Sequence, residues 1–515
     1  MTGTHGARSI LIAGGGTAGW LTACYLAKVL RGDPATSPRI TLIESPDIGT
    51  IGVGEGTFPT IRITLQTLGI PEDEFLREAT ATFKQGAKFV DWTHAPDSDR
   101  HSHYLHPFDT PYFTDGAGLL PYWLLQDTKT RKPFADAVTT QYAIAMAGRA
   151  PKRRQDAPYE SLVNYAYHFD AAKFADLLRR YAIRYGVTHL QGKITDVALA
   201  DDGSIAGLQT DTQGPLDADL YIDCTGFRAE LIGKALKSPF RSVRHQLLTD
   251  RAIACQVPYD RPDSPIPSFT ISTGHAAGWT WDIGLHERRG IGYVFSSAHA
   301  SDDEAMATLK AYVGPKGENY STRVIGFDTG FRPAQWVKNC VAVGLSSGFF
   351  EPLEATNILM TEVSASMLVD FFPYSGPIDA NAAIYNRLMT ARNERIIDFL
   401  KLHYCLTKRT EPFWRANADD ASIPDSLTEL LSMWRHRPPS RFDISEDVDV
   451  FAPCNYQFVL YGMGFETDYE AARGSFAPRA AAADAVFDRI AQFGRRSVDL
   501  LESNRDLLNL ALQVA

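Results

Sequence analysis

Short apolar runs and helical spacings alternate in the first part of this chain, and helical spacing takes over towards its end. Ser9-Ile10-Leu11-Ile12-Ala13 is continuously apolar, the pattern of a parallel strand buried on both faces. The composition then turns helical from Trp20 to Ala27, and Arg39-Ile40-Thr41-Leu42-Ile43-Glu44 follows as a second strand. Similar runs recur at Ala218–Gly226 and Cys340–Gly348, each ending in a turn of small residues. Between them, Ala171 to Tyr185 places Phe174, Leu177, Leu178 and Tyr181 at helical spacing, which marks a core-facing helix. Residues of about 245–335 read as sheet. Further helices are expected at Met360–Phe372, Ala382–Leu402 and Ala480–Gln513, and polar loops at Ala95–His103, Gly148–Pro158 and Arg435–Arg441.

One segment of the sheet region stands apart. In Gly278-Trp279-Thr280-Trp281-Asp282-Ile283-Gly284 the two indoles are two residues apart, so on a strand they share a face and form a wide aromatic wall. Gly290–Phe295 reads as the second strand of a hairpin. Taken alone, the pair is more simply a core feature of a large sheet.

Composition narrows the class. The chain has 515 residues, 44% hydrophobic and 11% aromatic, which suits a folded protein of several domain-sized units. Its net charge of −10 and lack of a basic stripe speak against nucleic acid as partner. Six scattered cysteines without a CxxC pair read as free thiols, and no metal site is expected. No apolar stretch reaches membrane-spanning length and no signal peptide is visible, so the expectation is a soluble, cytoplasmic protein that engages no membrane.

The first strand runs into Gly14-Gly15-Gly16-Thr17-Ala18-Gly19, with Gly14, Gly16 and Gly19 spaced as GxGxxG. In that motif the first glycine makes the tight turn, the second admits a pyrophosphate to the backbone, and the third lets helix and strand pack closely. The helix N-terminus supplies N–H donors, here from Thr17, Ala18 and Gly19. Glu44, ending the second strand, stands where an acid accepts hydrogen bonds from ribose hydroxyls. A lone GxGxxG is weak evidence, but strand, loop, helix, strand and acid together specify dinucleotide binding. Strands that return from distant sequence, the last closing at Gly344, favour FAD, whose fold has a substrate region spliced into it.

With these residues set out, the chain resembles the flavin-dependent halogenases of the tryptophan-halogenase family, nearly end to end. Trp279-x-Trp281-x-Ile283 is similar to the family's WxWxIP signature, with Gly284 at the proline position. Gly52-Val53-Gly54-Glu55-Gly56-Thr57 resembles the GVGEAT loop that lies against the flavin. Lys84, in Thr82-Phe83-Lys84, matches the essential lysine, and Glu354, in Glu351-Pro352-Leu353-Glu354-Ala355-Thr356, matches the essential glutamate. Lys84 sits beside Phe83 and an apolar run, a setting whose desolvation would lower its pKa, whereas Lys88 reads as solvated. His106-Pro107-Phe108 is similar to the HPF segment whose His106 and Phe108 would sandwich an aromatic substrate. Thr356 and Asn357 open a helix whose N–H groups could hold halide, with Asn357 where the family prefers glycine.

The resemblance implies an α/β protein: an FAD-binding, Rossmann-like three-layer fold with an inserted substrate-binding sheet and a helical C-terminal region. Residues 1–375 would form the FAD module, interleaved with the substrate sheet at about 80–160 and 245–335, and 376–515 the mainly helical substrate region. The implied cofactors are FAD, supplied as FADH2 by a separate flavin reductase, together with halide and O2. Hypohalous acid made from bromide or chloride would pass to Lys84 and then to an aromatic carbon, Glu354 would help remove the proton, and the Trp279/Trp281 wall would keep substrate from the flavin. The segment Asn455–Gly464 does not match the aromatic cluster of tryptophan-specific members, so an indole or another electron-rich aromatic is expected rather than free tryptophan. Oligomeric state, a homodimer included, is left open. The alternative is an FAD-dependent aromatic hydroxylase, which would have no use for Lys84.

Overall fold

The computed structural model describes residues 6–33, 36–47, 54–97, 101–114, 117–315, 322–444 and 450–513. Gly52 and Val53 lie outside them. The chain divides into two units, one of residues 1–80, 169–243 and 328–393, the other of residues 81–168, 244–327 and 394–515.

The first unit is built on a six-stranded sheet in the order Thr188–Gln191, Arg39–Glu44, Ser9–Ala13, Leu220–Asp223, Cys340–Ala342, Trp336–Val337. All neighbours are parallel except the last pair, so the central strands are buried on both faces, as their apolar runs require. Alternation divides the side chains. Leu11, Ala13, Ile43 and Tyr221 pack with Ile205, Leu208, Leu231 and Ile232, the last four from a three-stranded antiparallel sheet and the helical turn after Leu220–Asp223. On the other side the helix Thr17–Val29 packs against the helices Ala171–Arg184 and Thr356–Asp370. Helices, parallel sheet and antiparallel sheet make the three layers.

The second unit centres on a seven-stranded sheet ordered Arg323–Gly326, Arg251–Pro258, Arg288–Phe295, Gly278–Gly284, Thr270–His275, Gly86–Val90, His103–Pro107. Only Thr270–His275 and Gly86–Val90 run parallel. The expected tryptophan hairpin is present as Gly278–Gly284 and Arg288–Phe295. Beside it the short strand Thr82–Lys84 pairs antiparallel with Ala166–Phe169, setting Thr82 opposite His168 and Lys84 opposite Ala166.

Several sequence expectations need correction. The stretch read as sheet contains a helix, Asp302–Val313, whose Ala305 and Leu309 cover the sheet at Ile253, Ile291 and Tyr293. Ser301 and Glu304 form a capping box there, a signal present in the sequence. The single helix expected over Ala480–Gln513 is two, Ala480–Leu500 and Asn504–Gln513, because Leu501 turns extended and the Ser503 hydroxyl accepts from the Asp506 N–H to start again. His103, read as loop, begins a strand. Lys88 is half-buried rather than solvated, its ammonium 5.9 Å from the Phe269 ring, and burial lowers its pKa.

Candidate active site

In the first unit the three motif glycines differ in their surroundings. Gly14 has φ +108°, and a Cβ there would run into the Cys224 carbonyl. A Cβ on Gly19 would strike the Gly14 carbonyl, so helix and turn are in closest approach. Around Gly16 there is open space, with nothing within 4 Å of where a Cβ would stand. Among the described residues no side chain caps the helix that starts at Thr17, so its first N–H groups begin beside that space uncapped. The Glu44 carboxylate fills the position a Gly15 side chain would need. Its Oε1 lies 2.8 Å from His189 Nε2, a close contact not aligned as a hydrogen bond, and the His189 ring meets the edge of Trp20 at 5.0 Å. Open backbone, free N–H donors and an oriented acid fit the pyrophosphate and ribose of a dinucleotide.

The returning strands close this corner. Gly344, at φ +72°, brings its turn so near the first helical turn that a Cβ would stand 2.6 Å from the Ala18 methyl. Asp223, to which the sequence assigned no role, is fully buried and organises the neighbouring turn. Its carboxylate accepts from the Thr225 N–H and hydroxyl and from the Leu231 and Ile232 N–H groups. Burial nonetheless raises its pKa against those four bonds. Gly54, also at positive φ, precedes Glu55, whose carboxyl is pushed up to about 7 by desolvation.

Further along the same unit, a 3-10 turn over Pro352–Glu354 leads to Ala355 at φ 54°, and the helix Thr356–Asp370 starts there without a side-chain cap. A non-glycine residue in that region is strained, and the kink is what aims the helix start. Glu351, Glu354 and Thr356 are buried and Asn357 half-buried. The buried Thr356 hydroxyl has no hydrogen-bond partner among the described residues, beside N–H groups that favour an anion.

In the second unit Lys84 is 3% exposed, and its ammonium lies 5.3 Å from the centroid of the Phe108 ring. The His168 imidazole, held by Thr270 at 2.8 Å, is kept neutral far below the usual histidine range by burial and then by the Lys84 charge. His106 is turned into the interior. Its Nε2 accepts from the Asn455 amide at 2.8 Å, and its ring meets Phe399 at 5.7 Å and Phe458 at 6.2 Å. The structure therefore joins Lys84 with Phe108, and His106 with the helix Pro453–Gly462 through Asn455, a pairing the sequence did not foretell. Trp279 and Trp281 are both buried, with centroids 6.4 Å apart edge to face. The Trp281 indole lies across the backbone of its pairing partner Gly292, where any side chain would collide with it.

Among the described residues no group of three or more His, Cys, Asp and Glu could hold a metal ion, and no helix is long and apolar enough to cross a membrane.

The model of the tryptophan halogenase family matches residues 9–477. The chain belongs to that family. It is 35% identical to the tryptophan 7-halogenase RebH of Lentzea aerocolonigenes over 97% of this chain and 98% of that one. Among solved structures, the tryptophan halogenase from Shewanella frigidimarina superposes with a TM-score of 0.94 at 40% identity, covering 99% of both chains. Tar14, a tryptophan C-6 flavin-dependent halogenase from taromycin biosynthesis, gives 0.91 at 35% identity, over 98% of this chain and 100% of that one. This halogenase is thus a flavin-dependent enzyme with the FAD-binding Rossmann-like fold, using FADH2, halide and O2. Enzymes of the family draw FADH2 from a separate flavin reductase and act on an aromatic substrate. The hydroxylase alternative is not favoured.

Proposed function

We propose that this halogenase installs bromide or chloride on a neutral, indole-type aromatic, with Lys84 as the residue that delivers the halogen. The observation that carries the reading is the placement of the buried Lys84 ammonium against the Phe108 ring. A halogenating lysine needs a dry setting and an aromatic face beside it, and both are supplied by residues of one unit.

Reduced FAD with O2 supplies, when bound, the oxidation that turns halide into hypohalous acid. Gly16, the N–H groups from Thr17 to Gly19, Glu44 and Gly344 would hold it, with Gly54 and Glu55 alongside. Thr356 and Asn357 would hold halide by their N–H groups. At Lys84 the amine either hydrogen-bonds the hypohalous acid or takes its halogen cation and releases water. The haloamine then passes the halogen to the ring, the ring proton leaves to a base, and an equivalent proton returns to the nitrogen to restore the amine. Glu354 is assigned that base role, and the stabilisation of the ring cation, from the likeness of its segment alone. Phe108 and His106 would orient the ring, and Trp279 with Trp281 would form the aromatic screen.

RebH and Tar14 are named for tryptophan. Here the helix that meets His106, and the residues through Phe465, carry no charged side chain, so that segment offers no ionic partner to an amino acid's ammonium or carboxylate. That favours indole or a substituted indole over free tryptophan. The test is incubation with FAD, NADH, a flavin reductase and bromide, offering indole and tryptophan in parallel and reading products by mass spectrometry. A bromine isotope doublet on indole that vanishes in Lys84→Ala supports the reading, whereas an oxygenated product, or a doublet on tryptophan alone, overturns it.

A further inference from the structure

Lys84 sits on a strand of only three residues, too short to be held by its ladder bonds alone. Its neighbours are pinned instead. The Thr82 hydroxyl, fully buried, donates to the Gly284 carbonyl at 2.6 Å, bridging 202 residues of sequence. Gln85 donates from its backbone to the Ser268 carbonyl at 2.6 Å and from its side chain to the Arg149 carbonyl at 2.7 Å. The helix Asn504–Gln513 reaches both segments: Arg505 donates to the His286 carbonyl in the turn of the tryptophan hairpin at 2.6 Å, while the adjacent Asn504 reaches the Phe83 carbonyl at 3.4 Å.

Gly284 explains why the hydroxyl is needed. A Cβ there would stand 2.9 Å from the Ile266 side chain and 3.0 Å from the Tyr259 hydroxyl, so a ring or branched side chain has no room. The end of the tryptophan strand is therefore a glycine, the least restrained of residues; one edge of it pairs with Arg289, and its remaining stiffness has to come from a partner on the other edge. Thr82 supplies it at the one peptide that joins the tryptophan strand to its turn. One short path from the paired indoles to the Lys84 amine therefore runs through two covalent spans and this buried hydrogen bond, beside the longer paths through Asn504 and Arg505 and through the ladder of Gly86–Val90, Thr270–His275 and Gly278–Gly284.

We propose that Thr82 is a positioning residue that locks the Trp279/Trp281 hairpin to the Lys84 strand, so that the oxidised halogen is transferred to substrate rather than lost to water. The proposal rests on the reading of Lys84 as the delivering residue. Thr82 touches no substrate and acts through Gly284 and Lys84. A buried hydroxyl bonded to a carbonyl contributes about 1 kcal/mol, roughly a fivefold effect on an equilibrium. Its loss should appear in the fate of the halogen before it appears in the folding of the unit.

The experiment uses the full chain with reductase, NADH, FAD, bromide and indole, plus a soluble amine that traps released hypobromous acid. Brominated indole per trapped bromine is measured for wild type, Thr82→Val, Thr82→Ser and Lys84→Ala, with hydrogen exchange of residues 83–85 and 284–288 alongside. The expected result is a ratio lowered about fivefold or more in Thr82→Val, restored to within about twofold in Thr82→Ser, with faster exchange in both segments only in Thr82→Val. Should Thr82→Val not be recovered, Thr82→Cys, whose thiol is a weak donor, is held to the same criterion. An unchanged ratio in Thr82→Val beside an inactive Lys84→Ala overturns the proposal and leaves Lys84 in its role. Equal losses in the valine and serine variants also overturn it, since the hydroxyl would then not be the cause. Full bromination by Lys84→Ala overturns the reading beneath it.

Discussion

The amide nitrogen of Asn455 donates to Nε2 of His106 at 2.8 Å, across 349 residues of sequence. That one bond fixes the tilt of a ring proposed to orient substrate. Replacing Asn455 with Leu should raise KM for the aromatic about five- to twentyfold and leave the FAD affinity unchanged. Steady-state kinetics over substrate, with flavin binding measured separately, checks both halves.

Lys84 should tolerate no substitute. Lys84→Ala and Lys84→Met are expected to lower brominated product at least about a hundredfold while FAD binding is kept, because the lost group acts on the reacting halogen. Product yield beside a fluorescence titration with FAD tests this. Weakened FAD binding in step with the lost product would count against the assignment.

The glycines of the opening motif should separate by phenotype. Gly14→Ala forces a side chain into the Cys224 carbonyl at positive φ and should lower the Tm of the apoprotein. Gly16→Val enters open space, so the apoprotein should melt as wild type, yet FAD binding should weaken about tenfold or more. Differential scanning with and without FAD distinguishes the two.

Gly292→Ala should be among the most damaging small substitutions in the hairpin. The added methyl would enter the Trp281 indole, and displacing a buried aromatic costs about 3 kcal/mol. Thermal melting and the intrinsic fluorescence should both shift.

Acid should act on the two units with opposite sign. In the second unit His168 is buried and His275 half-buried, and desolvation holds both below the usual histidine range, His275 at about 4. Unfolding lets them take up protons below about 6.5, so stability of that unit is lost as pH falls from there towards 4. In the first unit Glu55 and Glu362 stand at about 7 instead of 4.5, so between those values the folded form holds the extra protons and stability is lost as pH rises. Hydrogen exchange corrected for intrinsic rate, followed peptide by peptide from pH 4.5 to 7, should show the opposed slopes.

How much could be read from the chain differs by feature. The strand Ser9–Ala13, the glycine turn and the helix after it are legible because each depends on residues within a few positions of one another. The tryptophan hairpin is legible for the same reason, through a period of two. The helix Asp302–Val313 was legible too, in its capping box, but was masked by the apolar strands around it. Glu44 carried its signal in position, while the His189 that meets it lies 145 residues further along the chain and had none.

By itself, the sequence determined which backbone segments are strand, turn and helix at the nucleotide end, and which side chains carry chemistry, since sterics, periodicity and glycine geometry are local. Tertiary structure alone decided the partners. Asn455 with His106, Thr82 with the Gly284 carbonyl and the four donors around Asp223 answer one demand, that a buried polar group be bonded. The chain shows that such a demand exists, but only the packing of distant elements determines which group meets it. Gly284 belongs to both: its departure from proline is visible in the sequence, and its reason, the Tyr259 hydroxyl and Ile266 occupying the space of a side chain, is visible only in the fold.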